Sequence, residues 1–299
     1  MLLRPGKELR ERMSVTLARQ GETLIPWQIP PLLEKATRAV RTALSRVHYL
    51  GPLRSPAKRY YVASLDEFPG MDPAGEFLPY VLRDRLRTSV SFVAPGAIEV
   101  VSGTLDQALN AWMYYIRTGE VPELKSKGKE INVAKTKVLV EFEINSVNGQ
   151  GAHALADSGF GYSHVLPILV RGLMAPARSS ILVEQPELHL NPSLQVRLAY
   201  FFVSLIRAGK QVVLETHSEH LVNAIRVFAA EDESGELAGK CGILFIDAEG
   251  AKPTLHDLTI RPDGTVADWP ANFFGEVLGL TMRLLRAQRR FRSSDGMRS

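Results

Sequence analysis

The sequence predicts an α/β protein with a mainly parallel sheet, and three observations carry that prediction. From Asp157 onward, short apolar strands alternate with helices, the pattern that a parallel sheet with crossover helices requires. Ser180–Val183 and Gln211–Leu214 read as buried strands. The segment between them, Pro192–Arg207, opens on proline, continues as a helix and is closed by Gly209.

The other elements follow from spacing and punctuation. Pro31–Val47 places Leu32, Leu33, Ala36, Ala39, Val40 and Ala43 at helical intervals, which predicts an amphipathic helix ending near Tyr49-Leu50-Gly51-Pro52. Asp106–Arg117 predicts a second helix, stopped by Gly119 and Pro122. Between these two, the Pro- and Gly-containing stretch Ser64–Gly75 reads as a loop. Lys125, Lys127, Lys129, Lys135 and Lys137 precede the strand-like Val138–Ile144, as in an exposed hairpin or lid. After the second buried strand come a helix over Glu219–Phe228, a hairpin from Gly242–Ile246 and Thr254–Ile260, and a last amphipathic helix from Phe273 to about Arg290. No internal repeat marks a solenoid.

Composition narrows the class. At 299 residues, 45% hydrophobic and 23% charged, the chain can bury one large core or two smaller ones. Its longest apolar runs, Val165–Val170, Ile181–Val183 and Leu198–Ile206, fall short of the roughly 20 residues that span a bilayer. Met1–Glu11 has no apolar stretch leading to a small-residue cleavage site, and the single Cys241 excludes an internal disulfide. Both features fit a reducing cytoplasm. A net charge of +4 permits a nucleic-acid partner without demanding one. Arg283, Arg286, Arg289, Arg290 and Arg292, ahead of the polar tail Ser293–Ser299, read as a solvated helix end in preference to a phosphate-binding surface.

The chemistry concentrates where the buried strands end. The first delivers Glu184 and Glu187 at its C-terminal end, where open α/β sheets bind ligands. Mg²⁺ prefers few protein carboxylates and keeps several waters, so a carboxylate at Glu184 can hold its water shell on a nucleotide. The second strand ends in Glu215-Thr216-His217-Ser218, with His217 able to donate to a terminal phosphate or to position the attacking water. Ser218 doubles as N-cap of the following helix. Upstream, Asp157-Ser-Gly-Phe-Gly-Tyr-Ser-His-Val-Leu-Pro167 leads into a helix from about Tyr162, whose first backbone N–H groups form an anion site.

In this order, the residues resemble the ABC-type ATPase head of chromosome-maintenance and DNA-repair proteins and of related bacterial AAA-type ATPases. Gly159, Gly161, Ser163 and His164 match the signature region, Ile181–Glu187 the Walker B strand, Leu190-Asn191-Pro192 the D-loop, and His217 the switch histidine. Tyr49-Leu-Gly-Pro-Leu-Arg54, Glu184-Gln-Pro-Glu-Leu-His-Leu190, Glu215-Thr-His-Ser218 and Asp268-Trp-Pro-Ala-Asn-Phe-Phe274 look like a bacterial subfamily with a small C-terminal domain of unknown function. The likeness covers about residues 45–290.

The resemblance implies the C-terminal lobe of an ABC-type head, preceded by a helical and β insertion region. It divides the chain into an N-terminal helical segment at 1–60, a lid region at 61–150, the ATPase half at 151–250 and a C-terminal hairpin with a basic helix at 251–299. It further implies ATP and Mg²⁺ as ligands, with Glu184 on the metal and Gly159, Gly161, Ser163, His164 and Asn191 on the nucleotide. A head-to-head dimer is implied too, in DNA maintenance, repair or anti-phage defence.

Departures from the pattern shape the functional expectation. Gln185 stands where these proteins carry the catalytic glutamate and cannot act as a base, so that either Glu187 substitutes beside His217 or hydrolysis is slow. His164 and Asn191 replace a usual glutamine and histidine. No G-x-x-x-x-G-K-[ST] follows a strand: Gly235–Lys240 is one residue short, runs into Cys241 and precedes a strand. The first expectation is therefore an ATPase subunit whose P-loop lies in a separate chain or a preceding N-terminal half. The alternative is an inactive regulatory or nucleic-acid-binding derivative of such an enzyme, or a truncated product. A nuclease using Asp247 and Glu249 would need a further acidic cluster that the sequence does not show.

Overall fold

The computed structural model describes residues 31–56, 58–59, 61–62, 72–120, 131–135, 139–145, 151–157, 160–247, 252–270, 274, 280, 282–286 and 288. The chain divides into two compact units, Met1–Arg46 and Val47–Ser299. The first contains helix α1 (Pro31–Leu44), whose Arg38 and Glu34 form an exposed i,i+4 ion pair at 3.1 Å.

The second unit is built on a three-stranded, wholly parallel sheet with strand order β1-β8-β9. Its strands are β1 (Val47–Leu50), β8 (Ser180–Glu184) and β9 (Gln211–Glu215). The mainly parallel α/β class expected from the sequence is therefore present. The β1 strand corrects the expectation that the first helix runs through Val47. Helix α1 ends at Leu44, a turn follows at 45–46, and Val-His-Tyr-Leu extends to pair with β8. β-Branched and aromatic residues ahead of Gly51-Pro52 suit a pleated strand, and the tertiary pairing overrides the apolar spacing that Val47 shares with the helix.

Three antiparallel pieces accompany this sheet. They are the hairpin β3 (Ser89–Val93) with β4 (Val100–Thr104), a sheet of β2 (Tyr61–Val62), β6 (Leu139–Asn145), β5 (Ile131–Lys135) and β7 (Ala152–Ala154), and the hairpin β10 (Gly242–Asp247) with β11 (Thr254–Thr259). The lysine-bearing segment thus enters a hairpin, although Lys125, Lys127, Lys129 and Lys137 lie outside the described residues, as does most of the expected 64–75 loop. The C-terminal helix is seen at 280, 282–286 and 288. Arg283 and Arg286 fall on it, while Arg289, Arg290 and Arg292 lie outside the described residues.

Among the described residues, six α-helices of the second unit precede β10, and all but the last contribute to its main core. These are α2 (Leu78–Asp84), α3 (Leu105–Thr118), α4 (Phe160–Met174), α5 (Pro192–Arg207), α6 (Glu219–Ala230) and the short α7 (Glu236–Lys240). Thr104 and Gln107 close a capping box at the start of α3, and Gly119 ends the helix in the left-handed region at φ 80°. Helix α4 is apolar nearly all round, with Val165, Leu166, Ile168, Leu169 and Val170 buried, as befits a helix enclosed by others. It starts two residues earlier than the sequence suggests, at Phe160, and keeps Pro167 inside it.

One cluster unites Leu50, Phe77, Trp112, Leu169, Ile181, Phe201 and Leu221. It spans three of the four regions into which the sequence divides the chain. At its centre Trp112 packs edge-on to Phe201 at 5.0 Å and donates its indole N–H to the Val93 carbonyl at 3.1 Å. A smaller cluster of Ala229, Ala238 and Ile260 lies under the C-terminal hairpin. Among the described residues no helix is long and apolar enough to cross a membrane.

The core depends on Trp112 for both volume and a satisfied donor. Replacing Trp112 by Ala is expected to lower the unfolding free energy by about 3–5 kcal/mol, measurable as a reduced urea midpoint with little change in m-value.

Candidate functional site

The parallel register fixes which side chains meet at the C-terminal ends of the strands. Side chains alternate along a strand, and Tyr49 pairs with Leu182 while Glu184 pairs with Glu215. Tyr49, Leu182, Glu184 and Glu215 therefore share one face. The opposite face carries Leu50, Ile181 and Val183 into the core. The Tyr49 face is open, with Val47 45%, Tyr49 36% and Val213 49% exposed.

Glu184 is held from both ends. The Tyr49 hydroxyl donates to its Oε1 at 2.9 Å, and the Arg54 guanidinium donates to its backbone carbonyl at 2.7 Å. That hydrogen bond also raises the Tyr49 hydroxyl above its usual range, because losing the proton beside a carboxylate is unfavourable. Arg54 is buried at 4% exposure, and burial lowers it to about 10 against the opposing charge of Glu187. Arg171 fastens β1 in turn, donating to the carbonyls of Tyr49 at 2.7 Å and Asp72 at 2.9 Å.

After Glu184 the chain turns sharply. Gln185 (φ 42°) and His189 (φ 62°) both adopt left-handed backbone, rare for residues with a Cβ and common at ligand-binding turns. The Gln185 N–H extends the ladder by donating to the Glu215 carbonyl at 2.8 Å. Glu187 then reaches across to the neighbouring loop. Its two carboxylate oxygens accept from the Thr216 hydroxyl and the His217 N–H, each at 2.7 Å. Both oxygens of the residue expected to substitute for a catalytic base are thus engaged in joining the two loops.

A second tie runs beside the first. Asn191, expected to touch nucleotide, caps α5 by accepting from the Leu194 N–H at 3.0 Å. Gln195 donates to the Leu190 carbonyl at 2.8 Å and accepts from the Ser218 hydroxyl, which also caps α6 through the Leu221 N–H. The expected N-cap role of Ser218 is present.

Among the described residues, the signature residues expected on the nucleotide sit just inside the start of α4. Gly159 lies outside the described residues. Gly161 falls in the first turn of α4, where an added Cβ would sit 3.4 Å from the His189 carbonyl and the Leu190 side chain. Ser163 and His164 are buried, at 5% and 6% exposure. The His164 ring lies 4.8 Å from that of His189. Burial first, then the neighbouring His189 and Arg54, pushes His164 down to about 4. These two side chains face the interior because α4 carries apolar residues on almost every side and is enclosed.

The polar tips that do face outward are Glu184, Glu215 and His217. His217 Nε2 lies 3.1 Å from Glu215 Oε1 on exposed side chains. Sequence reasoning passed over Glu215, Arg54 and Tyr49 as site residues. The signals were present: Glu215 directly precedes Thr216-His217, and Tyr49 and Arg54 bracket a Gly-Pro turn. The Gly235–Lys240 look-alike forms the cap and body of α7 ahead of β10, away from any strand end that could present a phosphate loop. Asp247 ends β10, and Glu249 lies outside the described residues.

Known proteins bear on this arrangement in one respect. A family model described as an AAA ATPase domain matches residues 95–222, from the β3–β4 turn to the second turn of α6. The matched stretch contains β8, β9, Glu184, Glu187, Asn191, Glu215 and His217. Over that stretch the chain is similar to an AAA-type ATPase domain. No curated protein matches the chain.

The shift at His164 has a pH consequence. Its imidazole sits at about 4 in the folded chain and near 6.5 when unfolded, so between those values the unfolded chain binds the extra proton. The resulting stability is full above about pH 6.5 and is lost as the pH falls toward 4. Denaturation midpoints measured at pH 7 and pH 5 should therefore differ less in His164→Gln than in the native chain.

Proposed function

We propose that the chain is the Walker B and signature half of a composite ABC-type ATPase, with the P-loop contributed by another polypeptide or by a preceding N-terminal segment. One observation carries this reading. Glu184, Glu215 and His217 stand together at the C-terminal ends of a wholly parallel sheet on one face of which Val47, Tyr49 and Val213 are exposed. Parallel sheets are normally covered on both faces. A strand, loop and helix bearing the phosphate-binding N–H groups would cover that face and bring the phosphates to the polar tips.

Within this reading Glu184 holds Mg²⁺. Tyr49 occupies its Oε1, which leaves Oε2 to meet the metal's water shell, and a single carboxylate acting through waters suits that ion. The metal would neutralise charge on the transferred phosphoryl group. The chain's own residues do the rest. Tyr49 and Arg54 orient Glu184, Glu187 joins the two strand-end loops, and His217 faces the phosphates. Ser163 and His164 are buried, so a second protomer in a head-to-head sandwich would meet backbone N–H groups at the start of α4. The cellular setting, DNA maintenance, repair or anti-phage defence, rests on the sequence resemblance alone.

A second reading, a non-hydrolysing regulatory or nucleic-acid-binding derivative, is favoured by Gln185 and by the engagement of both Glu187 oxygens. The two readings separate on hydrolysis. The isolated chain is expected to bind ATP weakly. Co-expression with a P-loop-bearing polypeptide should give Mg²⁺-dependent hydrolysis that falls by on the order of 10²-fold in Glu184→Gln. ATP turnover by the pure chain that ignores this substitution would defeat the proposal. A chain that binds DNA with steep salt dependence and never turns over ATP would favour the regulatory reading.

A further inference from the structure

At the two positions the sequence offers for a base, one residue is not an acid and the other is already engaged. Gln185 has no proton-accepting carboxylate, and both oxygens of Glu187 are held by Thr216 and the His217 N–H. The next acid at the strand ends is Glu215. It lies in register with Glu184 on the open face, and its side chain is about half exposed.

We propose that Glu215 is a positioning residue that fixes the His217 ring so that His217 accepts the proton of the attacking water. This rests on the ATPase reading above. Three observations support it. The Glu215 Oε1 lies 3.1 Å from His217 Nε2, so the other ring nitrogen, Nδ1, is the one left to face a substrate. The His217 backbone is anchored by its N–H to Glu187, which limits where the ring can swing. Glu215 is anchored too, because its carbonyl accepts the Gln185 N–H at 2.8 Å at the end of the β8–β9 ladder. A carboxylate on one imidazole nitrogen fixes the tautomer and stabilises the imidazolium formed when the other takes a proton.

The step balances. The water oxygen forms a bond to the γ-phosphorus while the bond from that phosphorus to the β–γ bridging oxygen breaks, and its electron pair leaves with ADP. One water proton passes to His217 Nδ1. The Nε2 proton stays between His217 and Glu215, and the imidazolium later returns a proton to phosphate or solvent.

Nuclear magnetic resonance on the isotope-labelled chain tests the ring directly, without turnover. The His217 signals can be identified by their loss in His217→Asn, a variant that keeps the main-chain N–H accepted by Glu187. They should report one tautomer, with the proton on Nε2 and the lone pair on Nδ1. In Glu215→Ala they should change to the tautomer mixture of a free imidazole. A ring as fixed in Glu215→Ala as in the native chain, or one protonated on Nδ1, overturns the proposal.

In the assembly with the P-loop polypeptide, Glu215→Ala should lower kcat roughly 10²-fold and leave ATP affinity within about twofold, as for loss of an interaction used only in the chemical step. The double variant with His217→Asn should be no slower than His217→Asn alone. Additive losses, or a loss confined to KM, overturn it. An assembly that never hydrolyses ATP overturns the catalytic role together with the ATPase reading. Hydrolysis that persists while the tautomer is unmoved by Glu215→Ala overturns this inference alone.

Discussion

The carboxylate of Glu187 is the fastening on which the strand-end region depends. It accepts from Thr216 and from the His217 N–H, which come from the loop after the neighbouring strand. Beside it, the Gln185–Glu215 ladder bond and the contact of Gln195 in α5 with Ser218 also tie this region to the loop after β9. Hydrogen bonds to a charged acceptor are among the stronger ones in proteins, and two on one carboxylate hold orientation as well as distance. The left-handed backbone at Gln185 and His189 is tolerated because the surrounding contacts over-determine it.

This fastening makes the two loops one object. The Leu190 carbonyl, Gln195, Ser218 and the first N–H groups of α6 form a continuous run of donors and acceptors parallel to it. A displacement of the His217 loop would therefore be felt at the start of α5, about one helical turn from Asn191. The same rigidity explains why Asn191 is a cap: α5 must begin at a fixed place for its apolar side, Leu194, Leu198, Phe201 and Phe202, to enter the core.

Much of the second unit was legible in the sequence because local and global signals agree there. Strand β8, helix α5 between Pro192 and Gly209, strand β9 and helix α6 with its Ser218 cap follow from apolar runs, caps and stops. Strand β1 was not legible, because Val47 continues the apolar spacing of the preceding helix and four residues give no periodicity of their own. The inward direction of Ser163 and His164 was hidden for another reason. The sequence places them at a helix start with an anion-binding backbone but says nothing of side-chain direction, which the near-complete enclosure of α4 decides. At the strand ends, residue types and order could be read, but which acid is tied and which is open could not. Glu187 lies in the turn after β8 while Glu215 ends β9, and the partners each meets are set by that turn and by the strand register.

The bare face of the parallel sheet has a thermodynamic consequence. With Val47, Tyr49 and Val213 left in water, the folded state forgoes burial that a parallel sheet ordinarily gains from its second layer. Any molecule that settles on that face binds the folded chain and not the unfolded one. At a hundredfold excess over its dissociation constant such a molecule adds about 2.7 kcal/mol to the apparent stability. The melting temperature of this chain would then depend on concentration, rising with the abundance of any molecule that binds that face.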